Sequence, residues 1–176
     1  MTILSVRKGV RNLYKVGDAV EYASNGVCVI SAVEKHDFSG EDVEYYVLKP
    51  INDERNRFYV PTEKCPLHDK LRDVCSRDEA ERLIGIMSQS EPVWIDDDTE
   101  RREEYRKIID SGDREELIRL IKALYLHRQK LSTQNRHLHI SDERTLSEAE
   151  NMLYDELSYA LDIPRSEVIP YIESHI

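Results

Sequence analysis

The hydrophobic rhythm of this chain changes once, near its middle, and that change limits the folds open to it. Residues 13–67 read as short strands and turns, whereas residues 97–174 read almost wholly as amphipathic helix. Strand period in one half and helix period in the other predict two small units in succession, each with a modest core. The only tryptophan, Trp94, stands in the short break between them. A large rigid ring at such a seam is either a packing plug or a tool.

Residues 1–12 carry no clear period and read as a flexible lead. The turn pair Gly17-Asp18 then leads into a strand at Ala19–Tyr22. Asn25-Gly26 predicts a type I′ hairpin turn, which needs positive φ at both central residues. Val27–Ile30 is a short apolar strand continuing towards Val33, and Ser39–Asp42 is a second turn. Tyr45–Leu48 is a third strand closed by Pro50. Arg57–Val60 is a fourth, stopped at Pro61, which lacks the donor a ladder needs. Short, closely spaced strands rich in β-branched and aromatic residues predict a small barrel or a strongly curved sheet.

Ser76-Arg77-Asp78-Glu79 is a capping-box pattern, and Ala80, Leu83, Ile84 and Met87 follow it on one helical face. The linker 88–96 separates this helix from a second bearing Tyr105, Ile108 and Ile109, with Gly112 at the expected left-handed C-terminal position. Asp113 starts a third helix with Leu117, Leu120, Ile121 and Leu124 inward. A polar stretch, Ser132–Ile140, leads to a fourth helix with Leu146, Ala149, Leu153, Leu157 and Ala160. Pro164 opens a last short helix, which Pro170 kinks or restarts.

The formal net charge of −10 falls unevenly: residues 1–70 carry 10 Lys and Arg against 11 Asp and Glu, and residues 71–176 carry 15 against 24. Such acidity counts against tight non-specific nucleic-acid binding, which rests on cation–phosphate contacts. No apolar run reaches the ~20 residues of a membrane helix, so the expected location is cytoplasmic, with no membrane partner. Cys28, Cys65 and Cys75 are an odd set at irregular spacing, which predicts reduced thiols. Cys65, His68 and Cys75 lack the fourth ligand of a structural zinc site, and His137 and His139 lack a third partner nearby. No metal, cofactor or catalytic residue is predicted, since the nucleophile, phosphate-loop and zinc-protease motifs are all absent. Asp96, Asp97 and Asp98 read as first-turn acids facing a helix dipole. The interleaved Arg101, Arg102, Arg106 and Lys107 read equally as an ion-paired helix face or as a small electrostatic footprint for DNA. For Trp94 both readings stay open: a plug between domains, or a wedge for an unstacked base step.

The segments Tyr14–Tyr22, Asn25-Gly26-Val27, Glu44–Lys49 and Tyr59–Glu63, in this order, resemble the CarD/CdnL family of bacterial transcription regulators. The same module occurs as the RNA-polymerase-interacting domain of the transcription-repair coupling factor. The tryptophan linker, the Ser111-Gly112-Asp113 helix junction and the helix ending Ala149, Leu153, Glu156-Leu157 extend the resemblance over about residues 13–174.

The resemblance implies an α+β architecture: a Tudor-like or SH3-like small β-barrel over 13–70, then a compact all-α domain of about five helices over 71–176. It implies docking of the β-domain on the lobe of the RNA polymerase β subunit, partly by strand pairing at an edge. The contacting residues would be Lys35, His36, Phe38, Arg57 and Tyr59. It also implies that Trp94 wedges into the minor groove at the upstream edge of the promoter bubble and stabilises the open complex. Arg101, Arg102 and Arg106 would supply phosphate contacts. A monomer acting without catalysis is expected. In the alternative reading the acidic helical domain is an adaptor that recruits a second protein to the polymerase and touches no DNA.

Overall fold

A computed structural model describes residues 14–37, 43–53, 55–63 and 70–176. The lead at 1–12, the turn at 39–42, and Phe38, Cys65 and His68 lie outside the described residues. The chain is α+β. Among the described residues five strands, β1 (Ala19–Tyr22), β2 (Val27–His36), β3 (Val43–Pro50), β4 (Phe58–Pro61) and β5 (Leu71–Asp73), precede five helices. These are α1 (Arg77–Met87), α2 (Asp98–Ser111), α3 (Arg114–Thr133), α4 (Ile140–Leu161) and α5 (Val168–Glu173).

The strands form one antiparallel sheet in the order β4-β3-β2-β1-β5. The β2–β3 register shifts between Ile30 and Ala32. Such an irregularity bends a strand and strengthens its twist, as a small barrel-like sheet requires. Val20, Tyr22, Cys28, Ile30, Tyr46, Leu48, Val60 and Leu71 bury together on the inner side, with Tyr14 set edge-on to Tyr46.

The β1–β2 turn differs from the expected two-residue type. Ala23–Asn25 form a 3-10 turn, and positive φ falls on Ala23 (47°) and Gly26 (73°), not on Asn25. The Tyr22 N–H bonds to the Gly26 carbonyl at 3.0 Å. The wider turn lays its tip against α2 and α4, a tertiary contact that local propensity does not encode. β5 lies just past the expected division at residue 70. Leu71-Arg72-Asp73 is too short to display a period, and its pairing with β1 selects the strand.

α1 and α3 begin where the sequence indicates, at Ser76 and Asp113, whereas α2 is capped by Asp97, read as a first-turn acid, and α4 by His139, which the sequence did not nominate. The Ser76 hydroxyl accepts the Glu79 N–H, while the Glu79 carboxylate is held by Arg82. Asp97 accepts from Thr99 and Glu100, and Asp113 from Glu115 and Glu116. Gly112 closes α2 in the left-handed conformation (φ 60°). Pro170 falls within the first turn of α5, where a missing N–H removes no intrahelical bond. Leu83, Ile84, Tyr105, Leu117, Leu120, Leu124, Leu146, Met152, Leu153 and Leu157 form the centre of the helical core.

Sheet and helices meet through a buried ionic junction. Glu156 accepts the Cys75 N–H at 2.8 Å and is gripped by Arg114, whose Nη2 lies 2.6 Å from Oε1. Arg114 also donates to the Asp73 carbonyl at 2.8 Å. Glu21 of β1 faces Arg72 at 3.0 Å, and Arg72 donates to the carbonyl of Gly112. Glu21 and Glu156 are each 1% exposed. Burial first, and then the neighbouring Glu156 charge, push the Glu21 carboxyl up to about 8.

Candidate interaction surfaces

The outer strand β4 carries one candidate surface. Antiparallel alternation puts Glu34 and His36 of β2, Tyr45 of β3 and Tyr59 of β4 on one face, with Tyr59 opposite Val47 and Tyr45 opposite Pro61. The His36 ring meets Tyr59 edge-on at 5.0 Å and Tyr45 at 6.3 Å, and its Nε2 lies 3.0 Å from Glu34. The result is a partly exposed aromatic patch beside an edge strand. Of the five residues expected here, His36 and Tyr59 are brought together. Lys35 is exposed, but alternation places it on the opposite face, and Arg57 is exposed just ahead of β4. Phe38 lies outside the described residues.

Trp94 defines the second surface. It is neither buried against the sheet nor fully projecting: it is half-buried, packed on the helical core. Its Nε1–H donates to Asp96 Oδ1 at 2.9 Å. The ring stacks on His127 of α3 with centroids 3.6 Å apart and planes 12° from parallel, and the Arg101 guanidinium carbon lies 4.5 Å from its centroid. A groove of about 590 Å³ opens beside it, lined by Arg136, His137, His139 and Asp142 among others.

The three arginines expected to face DNA separate on inspection. Arg101 is 4% exposed and is a core residue. Its Nη2 donates to Asp142 at 3.0 Å and to Asp98 at 2.6 Å, and its Nη1 donates to the Ile95 carbonyl at 2.8 Å. Burial opposes its charge, but the bonds to Asp142 and Asp98 outweigh that penalty and hold the guanidinium more firmly protonated. The expected phosphate contact is therefore corrected: these donors are spent inside the domain. Arg102 is exposed and bonds the Asp98 carbonyl through Nε at 3.0 Å. Arg106, also exposed, lies 3.3 Å from Asp110.

Asp96, Asp97 and Asp98, expected as first-turn acids, all have partners within the chain. Asp96 holds the indole N–H, Asp97 caps α2, and Asp98 pairs with Arg101, which keeps its carboxyl below the usual range. Sequence reasoning missed the basic stretch of α3 and the following loop, part of which reaches the ring. From Leu117 to Ser141 there is no Asp or Glu, while Arg119, Lys122, Arg128, Lys130 and Arg136 supply five positive charges and His127, His137 and His139 three imidazoles. In a chain of net charge −10 that acid-free window is a legible signal. It is overlooked when cations are sought only near Trp94 in sequence. Lys130, Arg136, His137 and His139 are exposed, and the last three line the Trp94 groove.

Cys28 and Cys75 are buried, unbridged thiols pushed up to about 12 by burial, which keeps them protonated and poor nucleophiles. Among the described residues no group of three His, Cys, Asp or Glu side chains converges as metal ligands would. No helix of the described residues is long and apolar enough to cross a membrane. In comparisons with family models, residues 14–75 match the CarD-like/TRCF RID domain and residues 82–173 match the CarD C-terminal domain.

Proposed function

The chain belongs to the CarD-like family, which shares the RNA-polymerase-interacting domain of the transcription-repair coupling factor, and on that premise we propose that it stabilises promoter open complexes. Coarsely, it is an RNA-polymerase-interacting transcription factor with the polymerase β subunit as partner, in a family that acts by binding rather than by catalysis. In the finer reading, the β4 edge and the His36–Tyr59 patch dock on the β-subunit lobe, with Arg57 alongside. The helical domain then presents Trp94 to the minor groove at the upstream edge of the bubble. Lys130, Arg136, His137 and Arg102 meet the flanking phosphates, and the protein acts as a monomer.

The observation that carries this reading is that Arg136, His137 and His139, from the acid-free stretch 117–141 of an otherwise acidic protein, line a groove beside the half-buried Trp94, and the groove's own carboxylates, Asp96, Asp98 and Asp142, are engaged by Trp94 and Arg101. Docking on polymerase raises the local concentration of the second contact, so weak intrinsic DNA affinity suffices. The adaptor reading draws on the acidity of the whole helical domain, of which Asp96, Asp97 and Asp98 are engaged within the chain and offer a partner little.

The test is a promoter-complex lifetime after competitor challenge, with full-length protein and polymerase. Trp94→Ala is expected to shorten the lifetime about tenfold, the scale of losing one wedge at an unstacked step. Arg136→Ala is expected to weaken the effect and flatten its salt dependence. A lifetime indifferent to both changes, with lobe binding intact, overturns the DNA reading in favour of the adaptor.

A further inference from the structure

The linker that carries Trp94 is held by side chains of the helices through its own carbonyls and that of Met87, the last residue of α1. The Lys122 ammonium donates to the carbonyls of Met87, Ser88 and Ser90 at 3.2, 2.9 and 2.7 Å. The Tyr105 hydroxyl donates to Val93 at 2.8 Å, and Arg101 to Ile95 at 2.8 Å. Lys122, Tyr105 and Arg101 come from two different helices, so the backbone on both sides of Trp94 is anchored to the folded domain.

A fixed backbone does not by itself fix an indole, which keeps two rotatable bonds. Here Asp96 takes the N–H and His127 takes a ring face, in near-parallel contact at 3.6 Å. Parallel overlap at this separation constrains ring orientation in a way that an aliphatic contact does not. We infer that His127 is a positioning residue, whose imidazole seats the Trp94 indole in one orientation at the mouth of the groove. The seat is a property of the free protein, and its consequence for promoters rests on the DNA reading above. A side chain already ordered before binding avoids the entropy loss of immobilisation, about two- to tenfold in affinity for one such residue.

Several charges face this imidazole. Lys130 lies on its own helix, Arg101 on α2, Asp96 on the linker and Asp142 on α4, while Arg136, His137 and His139 line the adjoining groove. Burial, followed by Lys130 and Arg101, lowers its affinity for a proton, which favours the neutral ring at neutral pH.

Because Trp94 is the sole tryptophan, its fluorescence reports on this seat alone. The experiment compares wild type, His127→Ala and His127→Phe, each checked for an intact thermal transition. Time-resolved anisotropy of the free proteins is expected to show a new fast component in H127A, and wild-type rigidity in H127F. The wild-type emission is expected to quench as pH falls through the imidazole range. H127F, which retains His137 and His139, should lose that step. With polymerase and promoter, H127A should shorten the open-complex lifetime two- to tenfold and H127F should restore it. Unchanged anisotropy in H127A, or equal mobility in H127A and H127F, overturns the seat. If the anisotropy changes as expected while neither H127A nor Trp94→Ala alters the lifetime, the seat stands and the DNA reading falls.

Discussion

Replacing Arg101 by alanine distinguishes a surface contact from a core ion pair, because the two roles differ in what happens without DNA. The guanidinium is 5% exposed and its partner carboxylate on Asp142 is 4% exposed. Removing the cation strands Asp142 in the interior. Leaving one member of a buried pair alone costs about 3–5 kcal/mol. The same change releases the Ile95 carbonyl and the cation beside Trp94. For a domain of roughly a hundred residues, each 1 kcal/mol moves the melting temperature by about 4–8 °C, so Arg101→Ala should lower it by ~12 °C or more. The assay is thermal unfolding followed by far-UV circular dichroism, with Trp94 fluorescence as a local probe. Arg102→Ala is the control: that residue is exposed, and the expected shift is within about 4 °C. A paired Arg101→Met, Asp142→Leu variant should recover most of the loss, since apolar groups of similar volume replace a buried pair at little cost. An Arg101→Ala protein melting within a few degrees of wild type, yet defective at promoters, would refute the core assignment and return Arg101 to the DNA surface.

The junction between sheet and helices supplies two further expectations. Glu21 has its carboxyl raised from 4.5 to about 8 by burial and by Glu156, so the folded protein holds this proton more tightly than the unfolded chain. Its contribution to stability is complete below about pH 4.5 and is lost as the pH rises through about 8. Glu21→Gln should flatten melting temperature against pH across that window and stabilise the protein at pH 9; a profile parallel to wild type would contradict this. Gly112→Ala puts a Cβ at φ 60° and against the Arg72 guanidinium. The left-handed conformation alone costs about 1–2 kcal/mol, and the displaced Arg72 abandons Glu21. Gly85→Ala, in mid-helix with open space around it, should instead stabilise by about 0.5–1 kcal/mol. Equal melting temperatures for the two alanine variants would show that neither the conformation nor the contact at Gly112 matters.

Most of the fold was legible because local signals agreed with the tertiary outcome. Ser76 and Asp113 cap helices because a short side-chain oxygen at that offset meets orphan N–H groups in almost any context. The inward faces of α1, α3 and α4 follow from a 3.6-residue period sustained over several turns. Two elements were not legible. The β1–β2 turn takes its form from packing on α2 and α4, and the three-residue β5 exists only as a partner of β1.

Short-range pattern and residues in fixed order were enough for the α+β order, the starts of α1 and α3, the inward faces and the family. The tertiary structure decided which charges reach solvent. Arg101, seven residues from the tryptophan, turns into the core beside Asp142. His127, Arg136 and His137 arrive at Trp94 from far along the chain. Charge is written residue by residue, but whether it faces water, a buried partner or a ligand depends on how distant helices pack.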